Sequence, residues 1–234
     1  MLHTLARFGF EWDGAVIYQS ERLTRYEAAL DRLRARQLTF ECSCSRAQLA
    51  DEERYPGHCR AGILVPGSAT ATRLRVDPGA LQFTDRIQGT FRQDVAAAIG
   101  DPVIRRRDGL FAYLLAVVVD DAAQGVTQVI RGADLLDNTP RQIYLQRQLG
   151  LDPPTYAHVP VLLEPDGRKL AKSSRSVRLD SDSVLPQLLR VLQLLNLSPP
   201  PELACAAIPE AWRWAISHWN INRLPRRLTE TLQP

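Results

Sequence analysis

Residues 101–150, DPVIRRRDGLFAYLLAVVVDDAAQGVTQVIRGADLLDNTPRQIYLQRQLG, constrain the fold more than any other part of the chain. They open on a short β run and an Asp108–Gly109 turn, cross an apolar stretch, and reach a second β run at 126–130. A helix follows, with Thr139 placed as its cap, Pro140 in its first position and Gly150 just past its end. The run LLAVVVDD fits helix or strand equally well by pattern. A further strand pattern, HVPVLLE, comes after it at 158–164. Alternation of this kind calls for an α/β fold, with helices laid on a sheet.

The flanks add helices. Residues 1–8 are expected to be helical, with Leu2, Leu5 and Phe8 on one face and no capping residue ahead of them. Residues 21–36 form an amphipathic helix with Leu23, Tyr26, Ala29 or Leu30, and Leu33 inward, and Ser20 as N-cap. ATRLRV at 71–76 alternates like a strand, and 81–92 continues in β-rich sequence. A Leu-rich helix at 183–197 is broken by three prolines at 199–201, and a last helical segment carries Trp212, Trp214 and Trp219. With 45% apolar and 24% charged residues over 234 positions, the chain is not a disordered one and can bury a core. No apolar run approaches the ~20 residues of a membrane span. The N-terminus lacks a signal peptide's apolar stretch, so a cytoplasmic location without a membrane partner is expected.

Three of the four cysteines cluster in CSCSRAQLADEERYPGHC, residues 42–59, while Cys205 stands apart. A C-x-C pair with a third Cys after fourteen intervening residues points to zinc, which takes four ligands in a structural site. Cys42, Cys44 and Cys59 supply three. His58 is the ordinary fourth ligand by chemistry. Tyr55 would have to lose a phenol proton whose free pKa is ~10. Against His58, adjacent residues rarely turn to one ion, whereas the Tyr55–Cys59 spacing folds back easily. Three small buried side chains without metal are the plainer alternative.

Two cationic features remain. Arg131 follows the β run GVTQVI, and a guanidinium at a strand's C-terminal end sits where α/β sheets bind ligands. Its fork suits a carboxylate or a phosphate. Tyr113 could present its hydroxyl to the same cleft. Each is equally ordinary as a sheet-capping Arg and a core Tyr. The net charge is +3, and of 29 basic residues only Lys169 and Lys172 are lysines, both in the loop DGRKLAKSS. Such a pair can follow phosphate oxygens through a reaction, or simply mark a solvated turn.

Taken together these residues resemble a known family. KLAKS at 169–173 resembles the KMSKS signature of class I aminoacyl-tRNA synthetases, with Ala171 where the signature has Ser. VIRGADLLDNTPRQ, with RRDGLFAYLLAVVVDD before it, resembles the glutamyl branch, and Cys42, Cys44, Tyr55 and Cys59 resemble a zinc site found there. The resemblance covers roughly residues 1–178. It implies a Rossmann-like catalytic domain with a small inserted zinc-bearing module and C-terminal helices. The divisions would be 1–36, the remainder of the first Rossmann half; 37–92, the inserted module; 93–178, the second half with the signature loop; and 179–234, the helical end. It implies L-glutamate, ATP with Mg2+, one structural Zn2+ and tRNA as ligands of a monomer. Tyr113 and Arg131 would hold glutamate, Lys169 and Lys172 the ATP phosphates, with Lys172 catalytic. The 61 residues after Ser173 match a short paralogue group that loads glutamate onto the queuosine base of the tRNA(Asp) anticodon. Family members open with a strand, an HIGH-like loop and a helix, and no H-x-G-[HS] motif occurs in this chain. An N-terminally truncated first Rossmann half and weak adenylation are therefore expected. An inactive zinc-containing remnant and a fragment of a glutamyl-tRNA synthetase are the alternatives.

Overall fold

A computed structural model describes residues 1–168 and 183–231. In chain order the elements are α1 (Leu2–Arg7), α2 (Leu23–Ala35), β1 (Thr39–Cys42), β2 (Ala71–Leu74), β3 (Ala80–Asp85), β4 (Gly89–Asp94), α3 (Val95–Ala98), β5 (Val103–Arg105), α4 (Tyr113–Ala123), β6 (Gln128–Gly132), α5 (Thr139–Leu149), β7 (Thr155–Val159), β8 (Val161–Leu163), α6 (Val184–Leu194), α7 (Ile208–His218) and β9 (Thr229–Thr231). They fall into two compact units, residues 17–158 and residues 1–16 together with those after 158. Among the described residues no helix is long and apolar enough to cross a membrane.

The 17–158 unit holds two sheets, ordered β1-β2-β5 and β4-β3-β7-β6. The first is antiparallel. In the second, β3 and β4 form an antiparallel hairpin, and β3 runs parallel to β7 through Asp85 and Tyr156. LLAVVVDD is a helix, α4, despite its valines. Leu114, Leu115, Ala116 and Val118 are all buried there, so packing outweighs the weak preference of β-branched residues for strands. The core joins α2, α4 and α5 through Leu30, Leu33, Leu74, Ile104, Leu115 and Leu145, each 0% exposed. Buried Asp120 of α4 locks α2 in place, accepting from Tyr26 Oη at 2.6 Å and Arg22 Nε at 2.5 Å. Burial, together with Asp120 beside it, pushes the Tyr26 phenol up to about 12.

Several local expectations are corrected. Residues 19–21 form a single 3-10 turn, so α2 starts at Leu23 after Arg22 and Ser20 is not its cap. Leu23 is exposed, and the inward face is Tyr26, Ala29, Leu30 and Leu33. Thr139 is the first residue of α5, not its cap; its hydroxyl is committed to Arg131 and His158. The 126–130 run pairs from Gln128 onward. Pro160, with no N–H to donate, separates β7 from β8 within HVPVLLE.

In the second unit, α6 and α7 bury Leu188, Leu192, Ala211 and Ala215 against each other. Leu2 and Leu5 of α1 are exposed, contrary to the expected inward face, and only Phe8 is buried. Just after α1, Trp212 Nε1 donates to Phe8 O at 2.7 Å and Phe10 meets the Trp212 ring edge-on. Trp219 lies just beyond the end of α7. Strands β8 and β9 pair in parallel.

Gly100, after α3, has φ +77, and a Cβ there would overlap the Tyr55 carbonyl oxygen. Gly100→Ala is therefore expected to destabilise the protein by roughly 1–3 kcal/mol, read as a lower urea midpoint, because both the left-handed backbone and the close approach favour glycine.

Candidate functional site

The strand order places three polar residues in a row. Asp85 ends β3, His158 is the next-to-last residue of β7 and Arg131 the next-to-last of β6. Because β3, β7 and β6 are neighbours, these side chains meet side by side. Asp85 Oδ2 lies 2.6 Å from His158 Nδ1. Its Oδ1 accepts from the backbone N–H of Ile87 at 2.9 Å, Gln88 at 2.8 Å and His158 at 3.2 Å. Arg131 Nε donates to His158 Nε2 at 3.0 Å. A guanidinium Nε can only donate, so Nε2 must be the bare nitrogen and Nδ1 carries the proton. Both Asp85 and His158 have side chains 0% exposed. Burial pushes the Asp85 carboxyl up, but His158 and the backbone N–H groups outweigh it and hold it below its ordinary value.

Arg131 is gripped through Nη2 as well. Nη2 donates to Thr139 Oγ1 and to Gln142 Oε1, each at 2.8 Å, and more weakly to Leu135 O at 3.4 Å. The Tyr156 ring lies 5.4 Å from its central carbon. Among the described residues every direct acceptor is neutral: an imidazole, a hydroxyl, an amide and a carbonyl. The guanidinium is thus oriented without being neutralised by a direct ion partner. Burial lowers its pKa, opposed by Tyr156, Tyr113, Asp121 and Asp134. Tyr113, 59% exposed at the start of α4, is thereby within electrostatic reach of Arg131. Asp121 of the same helix is raised by burial, with Asp120 adding to the rise and Arg131 opposing it.

The sequence pointed to Arg131 and Tyr113, and Tyr113 lies within electrostatic range of Arg131. It gave no sign of Asp85, His158 or Gln142. Asp85 and His158 are 73 residues apart. The one available signal was a lone histidine in the apolar run YAHVPVLL. Lys169 and Lys172 lie outside the described residues.

The cysteine cluster also assembles. The sulfur atoms of Cys42, Cys44 and Cys59 lie within 4.8 Å of one another, all buried. Cys44 and Cys59 are 3.6 Å apart, and the Tyr55 hydroxyl is 3.4 Å from Cys42 Sγ. Tetrahedral zinc with ~2.3 Å bonds to sulfur has edges of about 3.8 Å, so this donor set has the right dimensions. The Cys59 backbone N–H donates to the Tyr55 hydroxyl at 2.9 Å, holding it against the thiols. Burial raises Cys44 to about 11. At Cys59 burial also pushes upward, but backbone N–H groups of Leu64 and Ser43 outweigh it and bring the thiol to about 6. His58 is exposed, its ring set edge-on to Tyr55 at 6.4 Å. The arrangement can hold one soft metal ion through three sulfurs and a phenol oxygen.

Residues 1–197 match the family described as tRNA synthetases class I (E and Q), catalytic domain. The chain is 52% identical over 230 residues to a Glutamyl-Q tRNA(Asp) synthetase of Ectopseudomonas mendocina (strain ymp), covering 98% of this chain and 78% of that protein. A protein of the same name from Dechloromonas aromatica (strain RCB) is 49% identical over 236 residues, covering 97% and 78%. Among solved structures, a glutamate-tRNA synthetase from Elizabethkingia anophelis superimposes with a TM-score of 0.77 at 18% identity, over 99% of this chain and 57% of that one. A glutamate tRNA ligase from Elizabethkingia meningosepticum CCUG26117, in complex with its amino acid, gives 0.75 at 19%, over 99% and 56%. At those identities the likeness establishes the shared fold. The catalytic-domain match and the half-identical relatives establish more: the chain belongs to the class I aminoacyl-tRNA synthetase ligases, glutamyl and glutaminyl branch, in the group of the Glutamyl-Q tRNA(Asp) synthetases.

Proposed function

We propose that this chain activates L-glutamate with ATP and transfers it to the queuosine base of the tRNA(Asp) anticodon. The observation that carries the reading is Arg131: a guanidinium fixed by neutral acceptors, with its charge left for an anionic ligand. A glutamate carboxylate can accept from the Nη1 N–H groups, which the contacts among the described residues leave open, with the Tyr113 hydroxyl as a second polar contact. In the reaction a carboxylate oxygen of glutamate attacks the α-phosphorus of ATP, forming the mixed anhydride and releasing pyrophosphate. Lys169 and Lys172 would neutralise charge on the phosphates, Lys172 at the transition state, with Mg2+ accompanying the nucleotide. The acyl group then passes to the nucleic acid, and AMP leaves. In this reading residues 37–92 are the inserted module, 93–178 the second Rossmann half, and the protein works as a cytoplasmic monomer.

Cys42, Cys44, Tyr55 and Cys59 would hold one structural zinc, which ties the 42–59 loop together. Metal analysis of the purified protein should give about one zinc per chain, as a closed four-ligand site implies. Cys42→Ser and Cys59→Ser are expected to lose it, and His58→Ala to keep it. Loss of zinc in His58→Ala alone would reassign the fourth ligand from Tyr55.

The test of function is binding of labelled glutamate, glutamate-dependent ATP–pyrophosphate exchange, and transfer to tRNA(Asp) with and without queuosine. Glutamate bound in preference to glutamine and aspartate, and transferred only to the queuosine-bearing tRNA, supports the proposal. Binding of zinc and glutamate without exchange would instead make the chain a binding remnant. Indifference to glutamate would end the reading.

A further inference from the structure

Arg131 is held in position by a chain of contacts that runs back through buried His158 to buried Asp85. We infer that Asp85 and His158 are positioning residues for the substrate carboxylate: Asp85 sets the His158 tautomer, and His158 aims the Arg131 guanidinium. This rests on Arg131 being the carboxylate ligand.

The geometry explains why each group has the chemistry it has. A carboxylate placed directly on Arg131 would orient it equally well, but would cancel the charge a substrate anion needs. Here the fixed negative charge sits one imidazole away, on the far side of His158 from Arg131. His158 must then act as a neutral relay, donating at Nδ1 and accepting at Nε2. Neutral imidazole has two tautomers, and only one of them can accept from Arg131. Asp85 selects it. With Oδ1 filled by three backbone N–H groups, Oδ2 is the oxygen that faces Nδ1, and an ionised oxygen accepts only from N–H. Thr139 and Gln142 complete the grip through Nη2 of the guanidinium. The three strands add rigidity, since Asp85, His158 and Arg131 each sit on a different neighbour in one sheet.

Asp85→Asn is the decisive variant. Its amide oxygen would keep the three backbone N–H bonds, leaving its NH2 to face His158 Nδ1. The imidazole would switch its proton to Nε2 and confront the Arg131 Nε–H, donor against donor. A carboxylate-to-amide change that selects the wrong tautomer is known to disable a histidine while leaving the fold in place.

The experiment pairs NMR of the nitrogen-15-labelled protein with glutamate affinity by calorimetry. In the wild type His158 is expected as the Nδ1–H tautomer, with a scalar coupling across the hydrogen bond from Arg131 Nε–H to Nε2. Asp85→Asn is expected to switch the tautomer, abolish that coupling and weaken glutamate binding about 10–100-fold, the usual effect of losing an outer-shell partner. His158→Gln, whose amide oxygen can still accept from Arg131, should bind more tightly than His158→Leu. An Nε2–H tautomer in the wild type overturns the inference. So does an Asp85→Asn protein that switches tautomer yet binds glutamate as the wild type does. If Arg131→Ala itself leaves glutamate affinity unchanged, the substrate reading fails, and with it the role of the pair toward substrate. The tautomer and coupling measurements then still decide whether the pair anchors Arg131.

Discussion

Replacing Arg131 by alanine is expected to weaken glutamate binding by about 10–100-fold, since a partly buried charge-assisted hydrogen bond to a carboxylate contributes roughly 1.5–3 kcal/mol. Arg131→Lys is expected to recover little of this. One ammonium, with three N–H groups, cannot donate at the same time to His158, Thr139, Gln142 and a substrate carboxylate. Calorimetric titration with glutamate measures the effect directly. The variant also leaves Gln142 Oε1 without the Arg131 donor and His158 Nε2 with the Thr139 hydroxyl alone, so some loss of stability accompanies the loss of binding. A urea titration separates the two, because destabilisation that leaves the protein folded at the assay temperature does not by itself alter affinity. An Arg131→Ala protein that is folded and binds glutamate like the wild type would remove the guanidinium from the site.

Asp85→Ala is expected to cost about 3–5 kcal/mol of folding stability, among the largest effects any single substitution here should have. The carboxylate is buried and satisfies three backbone N–H groups and an imidazole. Alanine leaves all four donors without an acceptor and out of reach of water. The pH dependence carries a definite sign. The Asp85 carboxyl is held below its ordinary value in the folded protein, so the unfolded chain takes up its proton first as pH falls. Its stabilising contribution is complete above the unfolded value of ~3.9, and is lost as pH falls through the lower folded value. The gap between wild type and Asp85→Ala in chemical denaturation should be widest near neutral pH and close in the acid range below the unfolded value. A gap that widens on acidification would mean that Asp85 is protonated in the folded state.

Much of the molecule was readable without coordinates, and the parts that were share a property: their signal is local. Helix α5 announced itself by Pro140 and Gly150, and Gly150 does adopt the left-handed conformation with φ 69. The Cys-x-Cys spacing brought three thiols to one place because few backbone paths connect them otherwise. Arg131 was legible as the charged residue that ends a β run. Where local signals were weak the reading failed or stayed open. The α4 stretch favoured neither helix nor strand, and burial against α2 and α5 decided it. Thr139 carried a capping residue's chemistry, but a buried guanidinium eight residues earlier claimed its hydroxyl.

The sequence by itself determined the α/β alternation, the clustered thiols and the identity of a strand-end guanidinium, since each depends on spacings of a few residues that the backbone enforces directly. It took the folded chain to set the Tyr55 hydroxyl against the thiols while His58 stays exposed, and to stand Asp85 and His158 behind Arg131. Both outcomes depend on which strands and loops become neighbours. Pairing β3 with β7 joins residues 73 positions apart, and that contact is specified by the packing of the whole unit, not by any pattern the chain displays along its length.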